Sequence, residues 1–96
     1  MMKMLILLDE DKIIRENKYS LSKIQNYLER HFEKRNMIKD TDGWYSNGSF
    51  SSCGSLIIIL SEKRWFMDNI KEWLWMDTTD GSIDDLKDFY KEREVG

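Results

Sequence analysis

The sequence predicts one α+β domain arranged as a two-layer sandwich. We expect about three helices on one face of a small mixed or antiparallel sheet of three to four strands, in the order β α β β α α. Two short apolar runs, residues 4–8 and 56–60, are typical of buried strands, and three other stretches carry apolar residues at helical spacing. With 96 residues the chain can form one compact core, so residues 1–96 are predicted to be a single domain.

The first half of the chain predicts a strand followed by a helix. Residues 4–8 are continuously apolar and precede three consecutive acids, a pattern typical of a strand buried on both faces. Residues 12–18 are ambiguous, because they can pair back on that strand as a hairpin or begin a helix, and we favour the hairpin. Ser20 is a suitable N-cap, and apolar side chains recur at helical spacing up to Phe32, which predicts a helix over residues 20–37.

The second half predicts a hairpin, a central strand and two helices. The Asn47-Gly48 pair lies between aromatic residues and is the strongest short hairpin signal in the chain. Residues 56–60 contain three consecutive isoleucines, which favours a buried central strand. A helix over residues 62–76 follows, and Ser82 opens a third helix. The apolar faces of these helices comprise Phe66, Met67, Ile70, Trp73 and Leu74, and then Ile83, Leu86, Phe89 and Tyr90.

Composition and charge narrow the classes of function. Eighteen acidic and fifteen basic side chains give a net charge of −3, which argues against a general nucleic-acid binder. The single cysteine, Cys53, cannot form an internal disulfide, so we expect a cytoplasmic location. The sequence indicates neither a signal peptide nor a membrane-spanning run, and we expect no membrane partner. We also expect no cofactor and no metal, because no motif for either is present in the sequence.

The tryptophans form the first part of a candidate binding surface. Three of the four lie between residues 65 and 75. On a helical wheel, Trp65 falls at the edge and Trp75 on the back of the predicted second helix, so both are candidates for exposed binding anchors. The alternative is that both belong to the core, because a small domain needs every large apolar side chain it has.

Acidic residues on the predicted third helix form the second part. Asp84, Asp85, Asp88 and Glu92 lie opposite its apolar face, and residues 77–96 contain seven acids and three bases. Such a row of carboxylates can bind a basic groove on a partner. The alternative is a solvated helix face, on which Asp84 and Asp85 stabilise the helix N-terminus. The sequence therefore predicts a small acidic protein-interaction module, an inhibitor or regulator that occupies a basic site on a partner protein.

The main alternative is a homodimer, a structural or accessory protein in which the same tryptophans form a symmetric interface. Nucleic acid is not an expected partner. Lys23, Arg30 and Lys34 share one side of the first helix with Tyr27 beside them, a pattern compatible with nucleic-acid contacts. Residues 1–39 carry nine bases and six acids, but three charges on one face are few.

A small Cys/His enzyme is a less favoured prediction than the interaction module or the homodimer. Cys53 and His31 are the only cysteine and histidine, so such an enzyme would have to use Cys53 as the nucleophile and His31 as its general base. The residues around Cys53 contain no feature that would activate a thiol, so we do not expect catalysis. In composition alone, this acidic chain rich in Lys, Ile and Asn resembles small accessory proteins of phages and mobile elements, a group that includes host-defence inhibitors.

Overall fold

The computed structural model describes the backbone of residues 2–48 and 50–95 and the side chains of residues 2–46 and 54–91. The α+β class is confirmed, but the described chain forms five strands and five helices, more of both than predicted. The strands are β1 (Met2–Leu8), β2 (Ile38–Lys39), β3 (Tyr45–Gly48), β4 (Ile70–Asp77) and β5 (Ser82–Asp85). The helices are α1 (Glu10–Glu16), α2 (Leu21–Lys34), α3 (Phe50–Ser61), α4 (Arg64–Met67) and α5 (Leu86–Val95).

The sheet is antiparallel throughout, with the strand order β2-β3-β1-β4-β5. The central strand β1 pairs with β4 over its whole length, so that Met4 lies opposite Trp75 and Ile6 lies opposite Trp73. On its other side, β1 pairs with β3 only near its N-terminal end. At one edge of the sheet β5 pairs with β4, and Asp84 lies opposite Trp75.

One face of the sheet carries the core. Residues opposite each other on neighbouring strands point to the same face, so Met4 and Trp75 share one face with Tyr45. All five helices pack on that face, because each contributes to the same buried cluster. The cluster comprises Met4, Ile13, Ile24, Leu28, Phe32, Met37, Leu56, Ile57, Leu60, Phe66, Ile70, Trp73 and Leu86. A stacked pair of rings, Phe32 and Tyr45 with centroids 3.7 Å apart, joins α2 to β3.

The opposite face of the sheet, which we call the open face, receives no helix from the part of the chain that the structure describes. Leu5, Leu7, Leu74, Met76 and Ile83 point to it. None of them belongs to the buried cluster. Leu5 is buried, but Leu7 is 42% exposed and Ile83 is 54% exposed. The prediction that the first strand is buried on both faces is therefore wrong at Leu7.

Residues 56–60 lie in α3 and do not form the predicted central strand. Leu56, Ile57 and Leu60 are buried while Ile58 is exposed, the pattern of a helix with one face on the core. A continuous apolar run of this length does not distinguish a buried strand from a buried helix. The β-branched isoleucines favour a strand by propensity, and tertiary packing overrides that preference.

Residues 62–76 form the short helix α4 and most of β4, so the predicted second helix is also wrong. The buried Asn69 separates the two elements. Its side-chain amide donates to the Trp65 carbonyl at 2.6 Å, and its own carbonyl accepts from the Asp9 N–H at 2.8 Å. The apolar residues at helical spacing are divided between α4 and β4. Because β4 carries apolar side chains on both faces, the alternation of a strand does not show in its sequence.

The chain after β1 forms a helix where we favoured a hairpin. The helix α1 begins after Asp9, whose carboxylate accepts a hydrogen bond from the Lys12 N–H, and ends at Asn17 in the left-handed conformation. The next helix, α2, confirms the prediction of a helix in this region. Its N-cap is Ser20, whose hydroxyl accepts from the Lys23 N–H.

The hairpin predicted around Asn47-Gly48 is wrong, because Phe50 begins α3. A different hairpin forms from β2 and β3, with its turn at residues 40–44. The Asp40 N–H donates to the Trp44 carbonyl at 2.7 Å, and Gly43 has a φ of +92°, a conformation that favours glycine. The Asn47-Gly48 pair that we expected at the turn lies at the end of β3 instead.

The predicted third helix begins later than expected. Ser82 opens β5, and α5 starts only at Leu86. Asp85 is the N-cap of α5, because its carboxylate accepts from the Asp88 N–H at 3.0 Å. Asp84 and Asp85 therefore lie on a strand and not on a helical face.

We predict that two substitutions in α3 have very different effects on the free energy of unfolding. Leu60 is 0% exposed, so Leu60→Ala should lower the free energy of unfolding by about 2–5 kcal/mol through the cavity that it leaves. Ile58 is 58% exposed, so Ile58→Ala should change it by less than about 0.5 kcal/mol. Urea unfolding measures both values. Equal large losses would indicate that residues 56–60 are buried on all sides, as in a central strand.

We also predict that the two adjacent aspartates of β5 differ in their structural role. Asp85→Ala should cost about 1 kcal/mol of stability, because it removes the N-cap of α5. Asp84→Ala should cost less than about 0.5 kcal/mol, since the exposed Asp84 carboxylate has no hydrogen-bond partner among the described residues. Thermal unfolding of both variants measures the difference, and equal effects would contradict the capping role.

Candidate binding site around Trp75

Three of the six residues predicted to bind a partner meet at one end of the sheet. Trp75 lies on β4, and Asp84 and Asp85 lie on β5. Asp88 follows in the first turn of α5, where its N–H is bonded to Asp85. Glu92 belongs to α5, but its side chain lies outside the described residues.

A pocket of about 330 Å³ lies between β5, α5 and the C-terminal half of α3. We call it the acidic pocket. It is lined by Ile57, Trp75, Asp84, Asp85, Leu86, Phe89 and Tyr90. Ile57 and Leu86 are buried and belong to the core cluster, so the base of the pocket is fixed by the packing of α3 and α5. The volume is at the lower end of the range for small-ligand sites, which suits a single side chain.

Aromatic rings form the walls of the acidic pocket. Tyr90 stacks on the buried Trp73 with centroids 5.8 Å apart, and Phe89 meets Tyr90 edge-on at 5.0 Å. Phe89 is nevertheless 47% exposed, which is unusual for so large an apolar side chain. Trp75 is half-buried on the core face. The walls are therefore held in place from the core while part of their ring surface faces solvent.

The two carboxylates of the pocket differ in availability. One oxygen of Asp85 accepts from the Asp88 N–H, so this group is partly used as a helix cap. Asp84 is exposed, and its carboxylate has no hydrogen bond or ion pair among the described side chains. Because Asp84 lies directly opposite Trp75 on the neighbouring strand, its charge is beside the indole ring.

This arrangement is suited to a cation. Aromatic faces attract ammonium and guanidinium groups, and a neighbouring carboxylate supplies the opposite charge. The apolar base accommodates the methylene chain of a lysine or arginine. A single free carboxylate with aromatic walls does not resemble the oxygen-rich shell that a hard metal ion requires.

Trp65 does not belong to this site. It lies on α4, half-buried, with its ring 5.1 Å from Tyr27 and 6.1 Å from Phe66, both edge-on. It lines a separate pocket beside α2, together with two lysines. The predicted surface that combined Trp65 with Trp75 and the acids is therefore divided between two places.

His31 and Cys53 do not gain support as a catalytic pair. His31 lies on α2, where its Nδ1 is 3.2 Å from an Arg35 guanidinium nitrogen and its ring is 4.4 Å from that of Tyr27. Burial lowers the pKa of His31, and the charges of Arg35, Lys34 and Lys63 lower it further, so the imidazole is neutral at neutral pH. Cys53 lies in α3, and its side chain is outside the described residues.

Sequence reasoning missed four residues of the acidic pocket, namely Ile57, Leu86, Phe89 and Tyr90. Leu86, Phe89 and Tyr90 were assigned to one apolar face, because residues about 100° apart on a helix can share such a face. The spacing gave no signal that Phe89 is exposed. Ile57 gave no signal, because it was assigned to a strand that does not exist.

The described residues also lack the features of a metal site and of a membrane-spanning helix. Among the described residues there is no group of three or more His, Cys, Asp or Glu side chains that could hold a metal ion. None of the described helices combines the length and the apolar character that crossing a membrane requires. Comparisons with models of protein families, with curated proteins and with solved structures found no match.

Proposed function

We propose that the protein is a small interaction module that binds a basic segment of a partner protein at the acidic pocket. The expected occupant is an arginine or lysine side chain of that partner. Binding, and not catalysis, is the proposed activity. Occupation of a basic surface would let the module inhibit or regulate its partner by steric and electrostatic means.

The observation that carries this proposal is the Trp75–Asp84 pair beside the exposed ring of Phe89. The pocket combines aromatic walls, the Asp84 carboxylate and an apolar base. Aromatic side chains at such positions are typical binding anchors, because they contribute large contact areas and lose little conformational entropy.

The charge around the pocket supports the same class of partner. Residues 77–96 carry seven acids and three bases. Several of the acids lie on the turn and strand next to the pocket, so their summed field attracts a basic surface over about one Debye length. Arginine fits better than lysine, because its planar guanidinium can stack on a ring and pair with a carboxylate at the same time.

We predict that an arginine-containing peptide shifts the Trp75 indole resonance in NMR titrations, and that two variants weaken binding. Asp84→Asn should weaken binding several-fold and flatten its salt dependence, because it removes the free carboxylate. Phe89→Ala should weaken it by about 0.5–2 kcal/mol through the loss of a cation–π contact. A peptide with glutamine in place of arginine should bind much less.

The matched control for this experiment is Glu62→Gln, which removes one exposed acid outside the pocket. It should leave binding within about a factor of two at moderate salt. If Glu62→Gln weakens binding as much as Asp84→Asn, the peptide senses net charge only, and the proposed site is wrong.

Self-association is a second candidate function, and the open face of the sheet favours it. Leu7 and Ile83 are exposed on the same face as Leu74 and Met76, and no helix of the described chain covers them. A second copy is the occupant with matching chemistry, because two such faces can pack on each other around a twofold axis. In this second proposal the dimer interface lies on the sheet and not on the tryptophans.

We predict that Leu7→Glu abolishes any dimer, since it replaces an exposed apolar side chain of the open face with a second acid beside Glu72. Light scattering measures the molar mass. The control is Ile14→Glu, which adds the same charge at an exposed isoleucine on α1, away from the open face, and it should leave the mass unchanged. A wild-type monomer at high concentration would eliminate this second candidate.

A further inference from the structure

A second pocket, of about 300 Å³, lies between the N-terminal half of α2 and the start of α4. We call it the basic pocket. The residues that matter are Tyr19, Lys23, Ile24, Tyr27, Lys63 and Trp65. It shares no lining residue with the acidic pocket.

Aromatic rings dominate its walls. Tyr27 and Trp65 meet edge-on with centroids 5.1 Å apart, so their relative orientation is fixed by contact. Tyr19 lies on the loop before α2 and is 43% exposed. Ile24 is buried beneath them and joins the pocket to the core. Three aromatic side chains around one opening provide ring faces and edges against which a flat ligand can pack.

Two lysines supply positive charge from different elements. Lys23 belongs to α2, and Lys63 is the residue before α4. Among the described side chains, neither ammonium group has a hydrogen-bond or ion-pair partner, and no acidic residue lines this pocket. Lys63 is also close enough to His31 to lower the pKa of that imidazole, so its charge acts on the same side of α2.

The N-terminus of α2 adds to the positive electrostatic potential of the two lysines. Ser20, the N-cap, also lines the pocket, and the first turn of this 14-residue helix contains no acid. The partial positive charge of the helix N-terminus is therefore not neutralised locally and supplements the two lysines.

From these contacts we infer that the basic pocket binds a nucleotide, with the base against Tyr19, Tyr27 and Trp65 and the phosphate between Lys23 and Lys63. The volume is sufficient for one base and its phosphate. Aromatic packing with flanking lysines is also how proteins hold single-stranded nucleic acid without reading its sequence. The same base and phosphate groups occur in a free nucleotide and in a nucleotide within a single strand, so either could occupy the pocket. The net acidity of the chain made nucleic acid an unexpected partner, but this pocket is locally basic.

The test is an NMR titration of the full chain at low ionic strength with four probes: adenosine monophosphate, adenosine, inorganic phosphate and a single-stranded oligodeoxyadenylate. We expect adenosine monophosphate to shift the Trp65 indole and the Lys63 amide more than adenosine or phosphate alone. A stronger effect of the oligonucleotide identifies the single strand as the source, and an equal effect identifies the free nucleotide. Both results support the inference.

Two variants and a matched control test the site itself. Tyr19→Ala should weaken binding about tenfold, because it removes a packing surface from an exposed position. Lys63→Gln should weaken binding and reduce the slope of log affinity against log salt by about 0.7 for a single strand. Lys71→Gln, at an exposed lysine of β4 outside the pocket, should do neither.

Several results would overturn the inference. These are the absence of shifts with both adenosine monophosphate and the oligonucleotide, equal shifts with phosphate alone, and equal losses for Lys71→Gln and Lys63→Gln. Self-association that Lys63→Gln abolishes would also overturn it, because the pocket would then hold the acidic end of a second copy. Far-ultraviolet circular dichroism of each variant ensures that lost binding is not lost folding.

Discussion

The antiparallel pairing of β1 with β4 is the constraint on which the rest of the fold depends. It joins the first residues of the chain to residues 70–77 and places Trp73 opposite Ile6 on the face that the helices cover. The other three strands extend the sheet outward from this pair. Trp73 is completely buried, and its stacking on Tyr90 sets the position of α5. The walls of the acidic pocket therefore depend on a strand pairing that forms at the centre of the sheet.

The charges of the molecule are separated in space. Acids are concentrated on β5 and the turn before it, whereas α5 carries as many bases as acids, and lysines and arginines lie on α2 and around the start of α4. Each group surrounds its own aromatic pocket, with Trp75 in one and Trp65 in the other. Two tryptophans only ten residues apart in the sequence thus line pockets of opposite charge. A partner that carries both basic protein segments and nucleotides could contact both surfaces, and the two pockets can be tested independently.

The sequence allowed correct prediction where one physical signal dominates. For α2, the apolar spacing and the Ser20 cap agree, and for the first strand an apolar run ends abruptly at acids. Prediction failed over residues 56–76 for two reasons. The isoleucines of residues 56–60 favour a strand by propensity, but this segment is helical. Residues 70–76 show no strand alternation, because β4 is apolar on both faces, and tertiary packing decides between helix and strand in both segments. The grouping of Trp75 with Asp84 and Asp85 was expected from a helical wheel, but cross-strand pairing produces it, and that pairing is invisible without the register of β4 and β5.

The short edge strand β5 has a consequence for the behaviour of the protein at high concentration. An edge strand offers unpaired backbone groups to the edge strands of other molecules, and all four residues of β5 are exposed. Two of the four are aspartates, whose mutual repulsion between molecules opposes the growth of intermolecular sheets. The same carboxylates thus protect a sheet edge from aggregation. Removal of these charges should therefore make the β5 edge more prone to pair with other molecules, whatever its effect on the proposed binding.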